Sequence, residues 1–208
     1  MFKLKTSLYF LIGVLLLSGC SMSENKADVA REPIQSATTS IETSIKEKTG
    51  LKLDLEKLYP NEEHRKYAAK MIGTEAPNFK LDNLSGETID LIDFKGQNIV
   101  LELGQTECSA CQMIQPEMDK FRKANSDVTV IQVFPNDSKS AVDSFLKKTG
   151  TDIHSNILTG EAGNTVFREY KADWTPTTLF INKDGIIVFV HIGSTNQDYL
   201  EQVKKLAF

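Results

Sequence analysis

The stretch Ile99-Val100-Leu101-Glu102-Leu103-Gly104-Gln105-Thr106-Glu107-Cys108-Ser109-Ala110-Cys111-Gln112-Met113-Ile114-Gln115-Pro116 decides how this chain is read. It opens as an apolar run of strand length, rich in β-branched and aliphatic residues. Gly104 and polar residues break the run, and two cysteines three apart stand where a helical pattern takes over. Cys111, Ile114, Met118 and Phe121 recur at spacings of three and four and so share one helix face. The spacing puts Cys108 at a strand-to-helix junction and Cys111 one turn further in, facing a core.

That placement has chemical consequences. The first turn of a helix presents unpaired N–H groups and about half a positive charge, which favour a thiolate at Cys108. The neighbouring Glu107 carboxylate opposes this in part. Cys108 is thus the expected nucleophile and Cys111 the shielded resolving thiol, near enough to close a Cys108–Cys111 disulfide. Such a bond closes a tiny loop and removes little chain entropy, so it suits exchange better than stapling. Glu102, six residues before Cys108 on the strand, either points to solvent or lies beneath Cys111. In the second case burial raises its pKa, and it can take the Cys111 proton when that thiol resolves a mixed disulfide.

The 208 residues hold one domain of ordinary size plus appendages, and 40% hydrophobic and 25% charged residues are those of a soluble globular protein. A net charge of -4 gives no support to nucleic-acid binding. There is no second cysteine pair, and His64, His154 and His191 show no metal-ligand spacing, so neither a zinc site nor another cofactor is expected.

The third cysteine, Cys20, belongs to the N-terminus. Lys3 and Lys5 precede an apolar run from Leu8 to Leu17, far short of the ~20 residues that span a bilayer, so residues 1–19 read as a signal peptide. Leu17-Ser18-Gly19-Cys20 resembles the bacterial lipobox, in which the cysteine becomes the first mature residue and carries lipid. Lipid on Cys20 would hold the protein in the bilayer at the extracytoplasmic face of a bacterial cell membrane, where disulfides persist. Residues 20–50, rich in Ser, Thr, Glu and Lys, read as a flexible tether, and residues 51–72 as a helical lead-in.

The domain proper is expected over residues 73–208. Phe79 and Leu81, then Ile89 and Leu91, alternate about a Ser85-Gly86 turn and predict a β-hairpin. A strand at Ile99–Leu103, the cysteine helix and a strand at Val128–Phe134 follow. Next come a helix burying Val142, Phe145 and Leu146 and ending at Gly150, a short strand at Ile157-Leu158 and a short helix around Val166. Thr178–Ile181 and Ile186–Ile192 form a hairpin about Asn182-Lys183-Asp184-Gly185, and a last helix starts near Thr195. This order implies an α/β fold: a mixed central sheet covered by helices. Thr175-Pro176 precedes a strand, where composition alone favours a trans bond. Trp174 either lines the surface beside it or belongs to the core.

Three blocks resemble the thioredoxin superfamily and, within it, the TlpA/ResA-like extracytoplasmic thiol-disulfide oxidoreductases. Gly73-Thr74-Glu75-Ala76-Pro77-Asn78-Phe79 with Leu91-Ile92-Asp93-Phe94-Lys95-Gly96 is similar to that group's N-terminal hairpin. Cys108-Ser109-Ala110-Cys111 with Pro116 is similar to its active-site helix, and Trp174-Thr175-Pro176-Thr177-Thr178-Leu179-Phe180 with Lys183-Asp184-Gly185 to its cis-proline loop and hairpin. The resemblance covers about Gly73 to Leu206. It implies a thioredoxin-like fold with a strand-helix insertion between Phe134 and Thr159, a cis bond at Pro176, a buried acid at Glu102, and a substrate strand docked on Thr175 and Pro176. It also implies partners: exported protein thiols or disulfides, and a membrane redox partner that regenerates the enzyme. Glu107 stands where the family often has Trp, and Ala110 where Pro is frequent. Thr175 fits oxidant, reductant and isomerase roles alike. Two other readings are a thiol-dependent peroxidase, since the layout is shared with peroxiredoxins, and a redox-inactive surface binding lipoprotein.

Overall fold

The computed structural model describes residues 32–208, with side chains from Thr39 onward. The signal segment and Cys20 lie outside the described residues. Five strands form the central sheet in the order β5-β4-β3-β6-β7. They are β3 (Asn98–Leu103), β4 (Val128–Pro135), β5 (Ile157–Gly160), β6 (Thr177–Ile181) and β7 (Ile187–Ile192). β3, β4 and β5 run parallel, whereas β6 and β7 are antiparallel to their neighbours. A parallel pair needs a crossover, and α4 (Ser109–Ala124) and α5 (Lys139–Thr149) supply the two that this sheet requires. Ile99, Val100, Leu101 and Leu103 are all buried because β3 is the central strand, covered on both faces.

Turn and cap chemistry sets the boundaries. Asn61, Ser138 and Asn196 cap α3 (Glu62–Met71), α5 and α7 (Gln197–Ala207), each side-chain oxygen accepting a backbone N–H of the first turn. Gly150 ends α5 in the left-handed region at φ 67, with its N–H turned back to Lys147 O. The hairpin of β1 (Lys80–Asp82) and β2 (Thr88–Asp90) stands apart from the main sheet and touches it through an Asn83–Leu158 bridge to β5. At the end of β4, α6 (Gly163–Glu169) approaches so closely that a Cβ on Gly163 would stand 2.8 Å from Pro135 Cα.

One expectation needs correction. The segment read as tether as far as Gly50 contains an 18-residue helix, α1 (Glu32–Thr49). Its composition is polar, but Ile45 is 2% exposed and joins the main core. The Glu42 carboxylate accepts the Leu55 N–H at 2.8 Å, ahead of the short helix α2 (Leu55–Leu58). Helical stability in proteins comes mostly from tertiary packing, so one anchored face outweighs a polar composition.

The apolar residues fall into two clusters. The larger joins both sides of the sheet with α1, α3, α4 and α7. The smaller contains Cys111, Phe134, Val142, Phe145, Leu146 and Ile157, and so is built largely by the β4-to-β5 insertion.

Candidate active site

Cys108 is the N-cap of α4. The strand ends at Leu103, a turn follows at Thr106 and Glu107, and the helix begins at Ser109. The cysteine sulfur takes the capping role that an oxygen usually fills: Cys111 N–H donates to Cys108 Sγ at 3.1 Å. A negative charge on that sulfur would meet this N–H and the positive end of the helix dipole. Cys108 is partly exposed, and its thiol donates to the Thr175 carbonyl at 3.4 Å. The Thr175–Pro176 bond is cis, so the loop before β6 brings that carbonyl to the sulfur.

Cys111 is 1% exposed. Its pKa is pushed well above the ordinary thiol value, by burial first, then by the neighbouring Cys108, with the Glu102 charge adding to it. Both cysteines are free thiols. The two therefore differ in exposure and in partners.

Glu102 points into the protein and is 1% exposed. Burial pushes its carboxyl up to about 7, against the lowering pull of a hydrogen bond from Gln132. Gln132 Nε2 donates to Glu102 Oε2 at 2.6 Å. Glu102 Oε1 has no partner among the described residues. A Cβ built on Gly104 would stand 3.7 Å from Glu102 Oε1 and 3.8 Å from Cys111 Sγ, so these two atoms flank the same glycine. The carboxyl oxygen left free is on the side of the resolving thiol.

The geometry gathers Cys108, Cys111, Glu102, Thr175 and Pro176 at one end of the sheet. Trp174 lies on the flank of that group and is half-buried. Its ring meets His64 edge-on at 5.0 Å and Tyr67 at 5.8 Å, so α3 forms its backing. His64, which reads from sequence as a solvated helix residue, is thus a packing partner of Trp174.

Residues 72–190 match the AhpC/TSA family. The chain belongs to that family. Within the AhpC/TSA family its relatives are thiol-disulfide oxidoreductases. ResA of Halalkalibacterium halodurans, a thiol-disulfide oxidoreductase, is 31% identical over 136 residues, which cover 64% of this chain and 76% of that one. A secreted disulfide oxidoreductase of Mycobacterium tuberculosis, homologous to DsbE of E. coli, superposes with a TM-score of 0.52 at 25% identity, covering 60% of this chain and 92% of the other. The exposed lipoprotein thioredoxin of Streptococcus pneumoniae superposes with a TM-score of 0.52 at 28% identity, covering 62% and 100%. This member of the AhpC/TSA family is accordingly a thiol-disulfide oxidoreductase of the ResA type with a thioredoxin-like fold.

Sequence reasoning missed several residues around this site. Gln132 is the parallel-register partner of Glu102, and only the β3–β4 pairing brings them together. Its amide is pinned by exchange with Gln115, at 2.8 and 3.2 Å, and by His154 Nε2 at 3.2 Å. Asp137, just past β4, accepts from Thr106 twice: from its N–H at 3.0 Å and from its hydroxyl at 2.8 Å. It thereby holds the turn that delivers Cys108. Among the described residues no group of three metal-ligating side chains converges, and no helix is long and apolar enough to cross a membrane.

Proposed function

We propose that the protein is held by lipid on Cys20 at the extracytoplasmic face of a bacterial cell membrane and exchanges disulfides with exported proteins through Cys108 and Cys111. The observation that carries this reading is the opposed setting of the two sulfurs. Cys108 caps a helix within reach of a substrate, while Cys111 is buried beside a carboxyl.

In the reducing direction the Cys108 thiolate attacks one sulfur of a substrate disulfide, and the other substrate sulfur leaves as a thiolate. A mixed disulfide now joins Cys108 to the substrate. Cys111 gives its proton to Glu102 and attacks Cys108 Sγ. The Cys108–Cys111 bond forms, the bond to the substrate breaks, and the second substrate sulfur leaves as a thiolate. In the oxidising direction the same steps run backwards. The Thr175 and Pro176 backbone aligns the substrate strand, and Trp174 borders it. Neither direction calls for a cofactor, and a membrane redox partner completes the cycle.

The test uses purified protein in both redox states. Reduction of insulin disulfides by the reduced form, or refolding of a reduced secreted protein by the oxidised form, is expected, with loss of either activity in Cys108→Ser. Equal performance of that variant in both assays would end this reading. The reduction potential of the pair separates remover from donor of disulfides. Cys20→Ala should release the protein from the membrane fraction without altering either assay.

A further inference from the structure

Four residues form one polar row across the sheet. Glu102 on β3 is paired in register with Gln132 on β4 and with Thr178 on β6, and Thr178 is paired with His191 on β7. Residues directly opposite in a ladder share a face, so the row runs Gln132, Glu102, Thr178, His191 beneath α4 and α7. Buried polar atoms are normally bonded, and few in a protein are not. Glu102 Oε1, Thr178 Oγ1 and His191 Nε2, three successive members of this row, are each buried without a partner among the described residues.

The two ends of the row differ in kind. On the Gln132 side the Gln132 amide itself stands between Glu102 and both the Gln115 amide and the His154 imidazole, and an amide holds its protons. On the Thr178 side the groups are a hydroxyl, which both donates and accepts, and an imidazole. His191 Nε2 is left for another partner. Beyond it lies a cavity of about 240 Å³ lined by Tyr59, His64, His191 and Tyr199 among others. Tyr59, His64 from α3 and Tyr199 from α7 are the titratable groups that line this cavity with His191, and Tyr199 meets its ring at 4.9 Å. Glu102 faces Cys111 from α4, Gln132 from β4 and Thr178 from β6.

We infer that Thr178 and His191 form the outlet by which Glu102 exchanges its proton with solvent, through water bridging the three unpartnered atoms into the cavity beside His191. The inference rests on the proposed role of Glu102 as proton acceptor for Cys111. After Cys111 has given up its proton, Glu102 must shed it before the next turnover. The pinned amides close one route, and the hydroxyl and imidazole open the other.

The experiment follows the carbonyl band of protonated Glu102 by stopped-flow infrared spectroscopy on mixing full-length protein into D2O at about pH 6, below its titration near 7. The band is assigned by its loss in Glu102→Gln. Thr178→Val and His191→Phe are expected to slow its shift by at least about tenfold, with Thr178→Ser near the wild-type rate and added imidazole accelerating His191→Phe. Because Thr178 Oγ1 has no partner among the described residues, the valine variant is expected to fold as stably as wild type. Exchange at the wild-type rate in both blocked variants would overturn the outlet. The role of Glu102 itself is read separately, from release of thionitrobenzoate when Cys111 resolves its mixed disulfide with Cys108. An unchanged pH profile in Glu102→Gln would remove that role and, with it, the basis of the outlet.

Discussion

Cys108 and Cys111 are one helical turn apart and differ in setting: Cys111 is a buried member of a small apolar cluster that Cys108 only borders. Cys108 sits at a cap, partly exposed, with a backbone N–H, a backbone carbonyl and a helix dipole around it. Cys111 sits in a small apolar cluster between the sheet and α5, with a buried carboxyl nearby. A helix N-terminus stabilises a charged sulfur, and an apolar cluster penalises one. The same helix therefore presents one thiol at a cap and one in a setting that penalises its ionised form. The insertion between β4 and β5 makes the second environment, since Phe134, Val142, Phe145, Leu146 and Ile157 all come from it or border it.

The largest effect should come from exchanging the sulfurs for oxygen. Cys108→Ser is expected to abolish disulfide exchange, whereas Cys111→Ser should leave attack intact and trap the mixed disulfide. Non-reducing gels after incubation with a disulfide substrate show which sulfur is bound. Equal trapping by both variants would erase the contrast between the two thiols.

On the proposed role of Glu102 as proton acceptor for Cys111, Glu102→Gln is expected to slow resolution by about 10²-fold. In the wild type that step should accelerate as pH rises through about 7, because only the ionised carboxyl accepts a proton. Stability moves the opposite way. The folded carboxyl titrates above its ordinary value of 4.5, so the folded state holds a proton that the unfolded chain has released. The stabilising effect is complete below about 4.5 and is lost as pH rises through about 7, a decline of about 3 kcal/mol that urea unfolding at several pH values would show. Glu102→Gln should flatten it.

Phe145→Ala opens the cluster around Cys111. It is expected to cost about 3 kcal/mol in unfolding free energy and to speed alkylation of Cys111 more than that of Cys108. Asp137→Ala should have the smallest effect, about 1–2 kcal/mol, by freeing the Thr106 turn. Here the change should fall on Cys108, seen as slower attack with resolution unchanged. If Asp137→Ala altered resolution instead, the turn would serve Cys111 and the division between the two sites would need redrawing.

Much of this was legible before folding was considered. The apolar run at Ile99–Leu103, the break at Gly104 and the face shared by Cys111, Ile114, Met118 and Phe121 read directly as strand, turn and helix, because local periodicity carries that information. Gly150 marked the end of α5 for the same reason. The helix α1 was not legible. It has few apolar positions, and what secures it is Ile45 in a distant core and Glu42 bonded to the Leu55 backbone. Gln132, Gln115 and His154 gave no signal either, since the meeting of Gln132 with Glu102 depends on strand register, and its bonds to Gln115 and His154 depend on packing between distant segments.

By itself the sequence determined the elements of residues 73–208, their order, the pair of thiols and the place of Cys108 at a helix N-terminus, all of which follow from residues within a few positions of one another. Only the tertiary structure decided that the Thr175 carbonyl reaches Cys108, that Glu102 is buried with one oxygen held by Gln132 and the other without a partner among the described residues, and that Thr178 and His191 continue its row. These are contacts between segments tens of residues apart. Their existence rests on register and packing, which a local pattern of side chains does not encode.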